Sequence, residues 1–271
     1  MPRRRQSVRT HGRRMTALYI FLRLSVIGLL IAQFVNGNYE NVFLCVLTLV
    51  LFTLPTLLER QLRIDLPDTL EVIILLFIYA AEILGEIRAY YTHITHWDTM
   101  LHTVNGFLCA AIGFCLVDLL NRNERISVKL SPFYMAVVAF CFSMTVGVLW
   151  EFFEWSMDMF LGYDMQKDHI QTYLASVTLD PTNSNHVVTV KNIADTILVF
   201  KDGTQQSLGL GGYLDPGLYD TMKDLFVNFI GAVVFSIIGF FFVKSRGKGR
   251  FAKRFIPRVL MDNEVPPEQT E

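Results

Sequence analysis

The chain has 271 residues, 52% of them hydrophobic and 18% charged, with a formal net charge of −1. Its mean hydropathy is +0.38. This composition excludes a disordered or nucleic-acid-binding chain and places the protein in the membrane class.

Residues 1–14 form a basic segment carrying Arg3, Arg4, Arg5, Arg9, Arg13 and Arg14. The apolar run 15–35 follows. No small-residue cleavage site comes after it, and it is long enough to span, so it is expected as an uncleaved first helix. Further runs occupy 42–58, 70–87, 98–119, 133–155 and 220–243. Each approaches the ~20 residues that a ~30 Å hydrocarbon layer requires. The expected fold is therefore all-α: a bundle of six transmembrane helices. All four cysteines (Cys45, Cys109, Cys115, Cys141) lie within the runs and read as small buried hydrophobes.

Lysine and arginine are distributed unevenly. The N-terminal segment, Arg60, Arg63, Arg122, Arg125, Lys129 and the 244–258 stretch fall on one side. The other side holds only Arg88, Lys167, Lys191, Lys201 and Lys223. The positive-inside rule then predicts cytoplasmic termini in a plasma (inner) membrane. Tyr90, Tyr91, Trp97, Trp150, Trp155 and Tyr219 flank the outward ends as an interfacial belt. Arg23, inside the first run, is expected to snorkel.

The polar segment 156–219 is expected outside, as a small β-containing insertion. Short strands are predicted at 186–190 and 196–200, with Lys201-Asp202-Gly203-Thr204 as a hairpin turn into a third. The tail 244–271 is basic, then reads as disordered after Pro257.

Membrane-embedded charges carry the functional signal. Glu82 and Glu86 close the third run, and Asp98 and His102 open the fourth. Glu151 and Glu154 close the fifth, and Asp220 and Asp224 open the sixth. Alternating helix direction puts all eight in the outer leaflet. Asp98, His102 and Asn105 share a stripe, as do Asp220, Asp224 and Asn228, by their spacing of three and four. Ionised groups in a membrane are costly, so a convergent set is expected to be functional. Several carboxylates in one dry site need protons or a bound cation, and carboxylates with one imidazole suit a divalent metal ion. In that reading Asp98, His102, Glu151, Asp220 and Asp224 are the ligands and Glu154 is the base. Glu82, Glu86, Arg88, Asn105 and Asn228 support them. His93 and His96 read as solvated, and His169 and His186 as loop residues. Gly106 with Ala110, Ala232 with Ser236, and Gly231 with Gly239 read as packing surfaces.

The motif Asp98-x3-His102-x3-Gly106-Phe107, with Trp150-Glu151-x2-Glu154-Trp155 and Asp220-Thr221-x2-Asp224 before Gly231-Ala232, resembles YjdF-type bacterial inner-membrane proteins. More broadly, Asp224-x3-Asn228-x2-Gly231 is similar to VanZ-like membrane proteins, which commonly carry glutamine where this chain has Glu154. The resemblance covers roughly 68–243 and implies a cell-envelope setting. Three functions are compatible with these residues. One is a metal-dependent hydrolase or transferase on a lipid-linked or envelope substrate. The second is a proton- or cation-coupled transporter. The third is a non-catalytic structural or sensory protein with a buried polar network.

Overall fold

The computed structural model describes residues 12–62, 64–122, 130–247 and 249–259. The expectations for Arg3, Arg4, Arg5, Arg9, Arg63, Arg125, Lys129 and the tail beyond 259 lie outside these residues. The described chain is mostly helical with small two-stranded sheets. It divides into two compact units, 1–147 with 227–271, and 148–226.

The helices are α1 (Arg13–Val35), α2 (Tyr39–Leu51), α3 (Leu54–Leu62), α4 (Asp68–Ile78), α5 (Tyr90–His93), α6 (Trp97–Arg122), α7 (Pro132–Leu161) and α8 (Leu218–Lys244). Among the described residues, five stretches are long and apolar enough to cross a membrane: Met15–Val35, Tyr39–Leu62, Trp97–Asn121, Pro132–Leu161 and Leu218–Lys244. Local chemistry sets their ends. Gly37, at a φ of +73°, lets the chain leave α1. The Asn38 side chain then caps α2 by accepting from the Asn41 N–H at 3.2 Å. A turn at Phe52 and Thr53 separates α2 from α3, and Pro55 sits in the first turn of α3, where its missing N–H costs nothing.

The run at 70–87 is not among these five stretches. It is α4, eleven residues long, continued by a π-helix over Tyr79–Ile87. The two are contiguous, so the π-helix extends the rise of about 16 Å that α4 supplies. The wide turn shows in the Arg88 N–H, which donates five residues back to the Ile83 carbonyl at 3.1 Å. Gly85 lets the Tyr91 ring lie against the backbone, since a Cβ there would be 2.4 Å from Tyr91 Cε2.

In the first unit, α6 and the second half of α8 meet backbone to backbone. A Cβ on Gly106 would lie 2.1 Å from the Asn228 carbonyl oxygen. One on Gly231 would lie 2.0 Å from the Thr103 carbonyl oxygen. Below this seam Phe235 packs edge-on against Phe107 and Phe114. Phe114, Phe235, Leu75 and Met135 belong to the buried core. Cys45, Cys109 and Cys115 are buried as expected, but Cys141 is exposed, on a helix face that a bilayer would cover with lipid. Strands β1 (Ile64–Asp65) and β8 (Arg258–Val259) pair antiparallel in the same unit.

The second unit holds the end of α7, the start of α8 and three antiparallel pairs between them. Strand β2 (His169–Gln171) pairs with β7 (Tyr213–Asp215), β3 (Tyr173–Ser176) with β4 (Val188–Lys191), and β5 (Ile197–Val199) with β6 (Gln205–Ser207). The last pair is the hairpin around Lys201–Thr204. The Asp202 carboxylate accepts from the Thr204 N–H and hydroxyl, and Gly203 has a φ of +87°. His169 is not a loop residue: it stands in β2, its ring stacked on Tyr219 at 3.8 Å.

Candidate functional site

In the first unit, the opening turn of α6 carries Asp98 and His102. They are four residues apart, and His102 Nε2 lies 3.4 Å from Asp98 Oδ1. His102 is 8% exposed. One turn on, the Asn105 side-chain amide donates to Asn228 Oδ1 at 3.3 Å. Asn228 is 1% exposed and donates to the Ser143 carbonyl at 3.5 Å. Ser143 in turn donates to the Gly106 carbonyl at 2.7 Å. A Cβ on Gly147 would come within 2.7 Å of Asn228 Nδ2, so this glycine makes room for the amide. Asn105 and Asn228 are therefore rivets of the α6–α8 seam, and their hydrogen bonds satisfy groups that would be costly to bury alone.

Two acids of this unit sit elsewhere. Glu82 and Glu86 lie on the π-helix, Glu82 half-buried and Glu86 exposed, while Arg88 is exposed beyond it. A further acid escaped the sequence reading. Glu71, in the first turn of α4, is 1% exposed and accepts from the Tyr19 hydroxyl at 2.5 Å. Arg23 places its guanidinium 5.3 Å from the centre of the same Tyr19 ring, a cation–π contact about one turn along α1. Tyr19 and Arg23 share a helix face at a spacing of four; only that spacing hinted at the pair.

In the second unit, Glu151 is 4% exposed and Glu154 is 7% exposed. The Trp150 indole N–H donates to Glu154 Oε1 at 2.7 Å, so this belt tryptophan orients an acid as well as facing the surface. On α8, Asp220 uses both oxygens. Oδ1 accepts from Lys223 Nζ at 2.6 Å, and Oδ2 accepts from the Lys167 backbone N–H at 2.8 Å. Lys223 Nζ also lies 3.4 Å from Asp224 Oδ1. The side chains of Asp220 and Asp224 are 8% and 1% exposed, against 33% for Lys223.

The start of α8 is fastened to the polar segment. Asp215 caps it, accepting from the N–H groups of Leu218 and Tyr219. The Gln166 amide donates to the Thr221 hydroxyl at 2.5 Å, and the Asp158 carboxylate accepts from the Met165 and Gln166 N–H groups. Further along, the Thr182 hydroxyl and N–H, with Ser184 and the His186 N–H, hold the Asp180 carboxyl well below the usual range. His186 thus meets Asp180 through its backbone.

Asp98 and His102 in the first unit, and Glu151, Glu154 and Asp224 in the second, are acid and histidine donors of the kind that hold a metal ion. The chemistry of the donors fits a hard or borderline divalent ion.

A model described as "Predicted membrane protein (DUF2238)" matches residues 17–245. The chain belongs to this family. The DUF2238 match runs from α1 through α8 and so takes in both units. Membership establishes a membrane protein and brings no reaction with it. No curated protein and no solved structure matches the chain.

Proposed function

We propose that this DUF2238 protein is a six-span envelope protein with both termini cytoplasmic, whose outward helix ends bind one divalent cation. By residue type and helical spacing, Asp98, His102, Glu151 and Asp224 would be its ligands. Asp220, expected from sequence as a fifth, is better suited to holding Lys223, because both its oxygens already accept hydrogen bonds. Glu154, oriented by Trp150, would take the proton from an attacking water or hydroxyl. Such a site suits a hydrolase or transferase acting on a lipid-linked or other envelope substrate. The likeness to YjdF-type and VanZ-like proteins agrees with an envelope setting.

One observation carries this reading. Three carboxylates, Glu151, Glu154 and Asp224, are each less than a tenth exposed on helices apolar enough to span a membrane. Ionised side chains within such helices are costly, and a site that keeps several must neutralise them. Lys223 supplies one positive charge, and His102 a second only when protonated. A divalent ion supplies the rest.

A second reading is favoured by the Trp150–Glu154 bond and the Lys223 pairs: a buried polar network without metal. Thermal unfolding in detergent separates the two. With a metal, chelator lowers the melting temperature at neutral pH, because like charges are left together. The loss shrinks in mild acid, where the carboxylates take up protons. His102→Ala then removes most of the chelator effect. A melting temperature that ignores chelator at both pH values, in protein shown to be folded, refutes the metal and leaves the network.

A further inference from the structure

The ion pairs on α8 are unequal, and the inequality has a chemical meaning. Lys223 Nζ is 2.6 Å from Asp220 and 3.4 Å from Asp224. Asp220 is fixed from its other side by the Lys167 N–H at 2.8 Å. Asp224 is almost wholly buried, whereas a third of the lysine side chain reaches the surface. Two buried carboxylates thus share one flexible, partly exposed lysine. Lysine presents a compact charge on a four-carbon stem with freely rotating donors, so it can give up one acceptor while keeping another.

Resting on the cation reading above, we infer that Lys223 is a built-in exchangeable counter-cation for Asp224. In the absence of a divalent ion the ammonium is shared between Asp220 and Asp224. When an ion arrives, the 3.4 Å contact to Asp224 is given up and Lys223 stays on Asp220. Asp220 is then the residue that parks the lysine, and Lys223 sets how tightly the site takes its ion. The exchange keeps the buried carboxylates compensated in both states, which matters because a lone buried carboxylate is strongly destabilising. It also moves no ammonium into the apolar interior. The incoming ion brings two positive charges while Lys223 stays on Asp220, so the ammonium repels the ion and competes with it for Asp224, and its removal tightens binding.

The test compares full-length wild type, Lys223→Met, Lys223→Gln and Lys223→Arg in detergent, each titrated with Mn2+, Zn2+ or Ca2+ alone. Calorimetry and the spin-resonance signal of free Mn2+ read the binding. Lys223→Met and Lys223→Gln should bind at least about tenfold more tightly than wild type, which corresponds to about 1.4 kcal/mol. Lys223→Arg keeps the charge and should stay near wild type. Independently, acylation of Lys223 in the wild type, followed by mass spectrometry, should speed up when the ion is added. Tight binding by the neutral variants where wild type binds nothing measurable also supports the exchange. Wild type that binds while the neutral variants bind equally or more weakly overturns the exchange and leaves the cation site standing. If no protein binds any of the ions, the cation site itself falls and the exchange falls with it. Where the neutral variants do not fold, the acylation rate in wild type decides: no change on addition of a bound ion overturns the proposal.

Discussion

The α6–α8 contact gives the sharpest stability prediction. Replacing Gly231 by alanine adds one methyl group, which would sit 2.0 Å from the Thr103 carbonyl oxygen and 2.8 Å from the Phe107 nitrogen. Both neighbours are backbone, so no side chain can rotate away and the helices must separate. Overpacking in a tight core costs about 1–3 kcal/mol, and backbone neighbours place this case at the upper end. Against this, alanine in a helix interior gains about 0.5–1 kcal/mol over glycine. The net effect is a loss of about 2 kcal/mol. Gly28→Ala isolates the second term, since a Cβ there meets nothing within 4 Å. Gly106→Ala meets the Asn228 carbonyl at 2.1 Å and should behave like Gly231→Ala. The double variant should lose less than the sum, because helices already parted accommodate the second methyl more easily. Thermal unfolding in one detergent, with helicity as the signal, measures all four. If Gly231→Ala melts with Gly28→Ala, the close approach is not a source of stability and the reasoning fails.

Two further outcomes test other parts of the molecule. Hydrogen bonds from Thr182, Ser184 and His186 lower the Asp180 carboxyl, so folding favours its ionised form. That contribution is full above the ordinary aspartate value of about 3.9 and is lost as pH falls through the depressed folded value. Amide exchange at Thr182, Ser184 and His186 should therefore stay protected at neutral pH and rise only in strong acid, while Asp180→Asn should raise it at neutral pH; equal protection in the two proteins would refute the role. A reporter fused after Asn183 should be exposed outside the cytoplasm, and a cytoplasmic signal there would remove the outward assignment of every acid in the site.

The membrane-crossing stretches were legible because hydrophobic length is written directly in composition: the apolar stretches behind α1, α6, α7 and α8 stand out without any knowledge of contacts. The Lys201–Thr204 turn was legible for a similar reason, since Asp-Gly chemistry acts within four residues. The π-helix in the third run was not. The residues of 79–87 are as apolar as an α-helix needs, and nothing local distinguishes a five-residue from a four-residue hydrogen-bond spacing; Gly85 and the Tyr91 ring against it appear only in three dimensions. Glu71 was hidden because its partner, Tyr19, is 52 residues away. For the candidate site, residue types and spacing nominated Asp98, His102, Glu151, Glu154, Asp220 and Asp224. They could not separate Asp220 from Asp224, since the two lie four apart on one helix. The distinction lies in the Lys167 backbone N–H, which comes from the polar segment far upstream.

That segment has a mechanical consequence for α8. Residues 166–171 reach the first turns of the helix at separate points: Gln166 on Thr221, the Lys167 N–H on Asp220, and Gln171 on the capping Asp215. Antiparallel pairing of β2 with β7 clamps the same stretch from the other side. Loop and helix start are therefore fastened at several points, much as a handle is to its key. Whatever grips residues 166–171 pulls on Asp220, and through Lys223 the pull arrives at the more deeply buried Asp224.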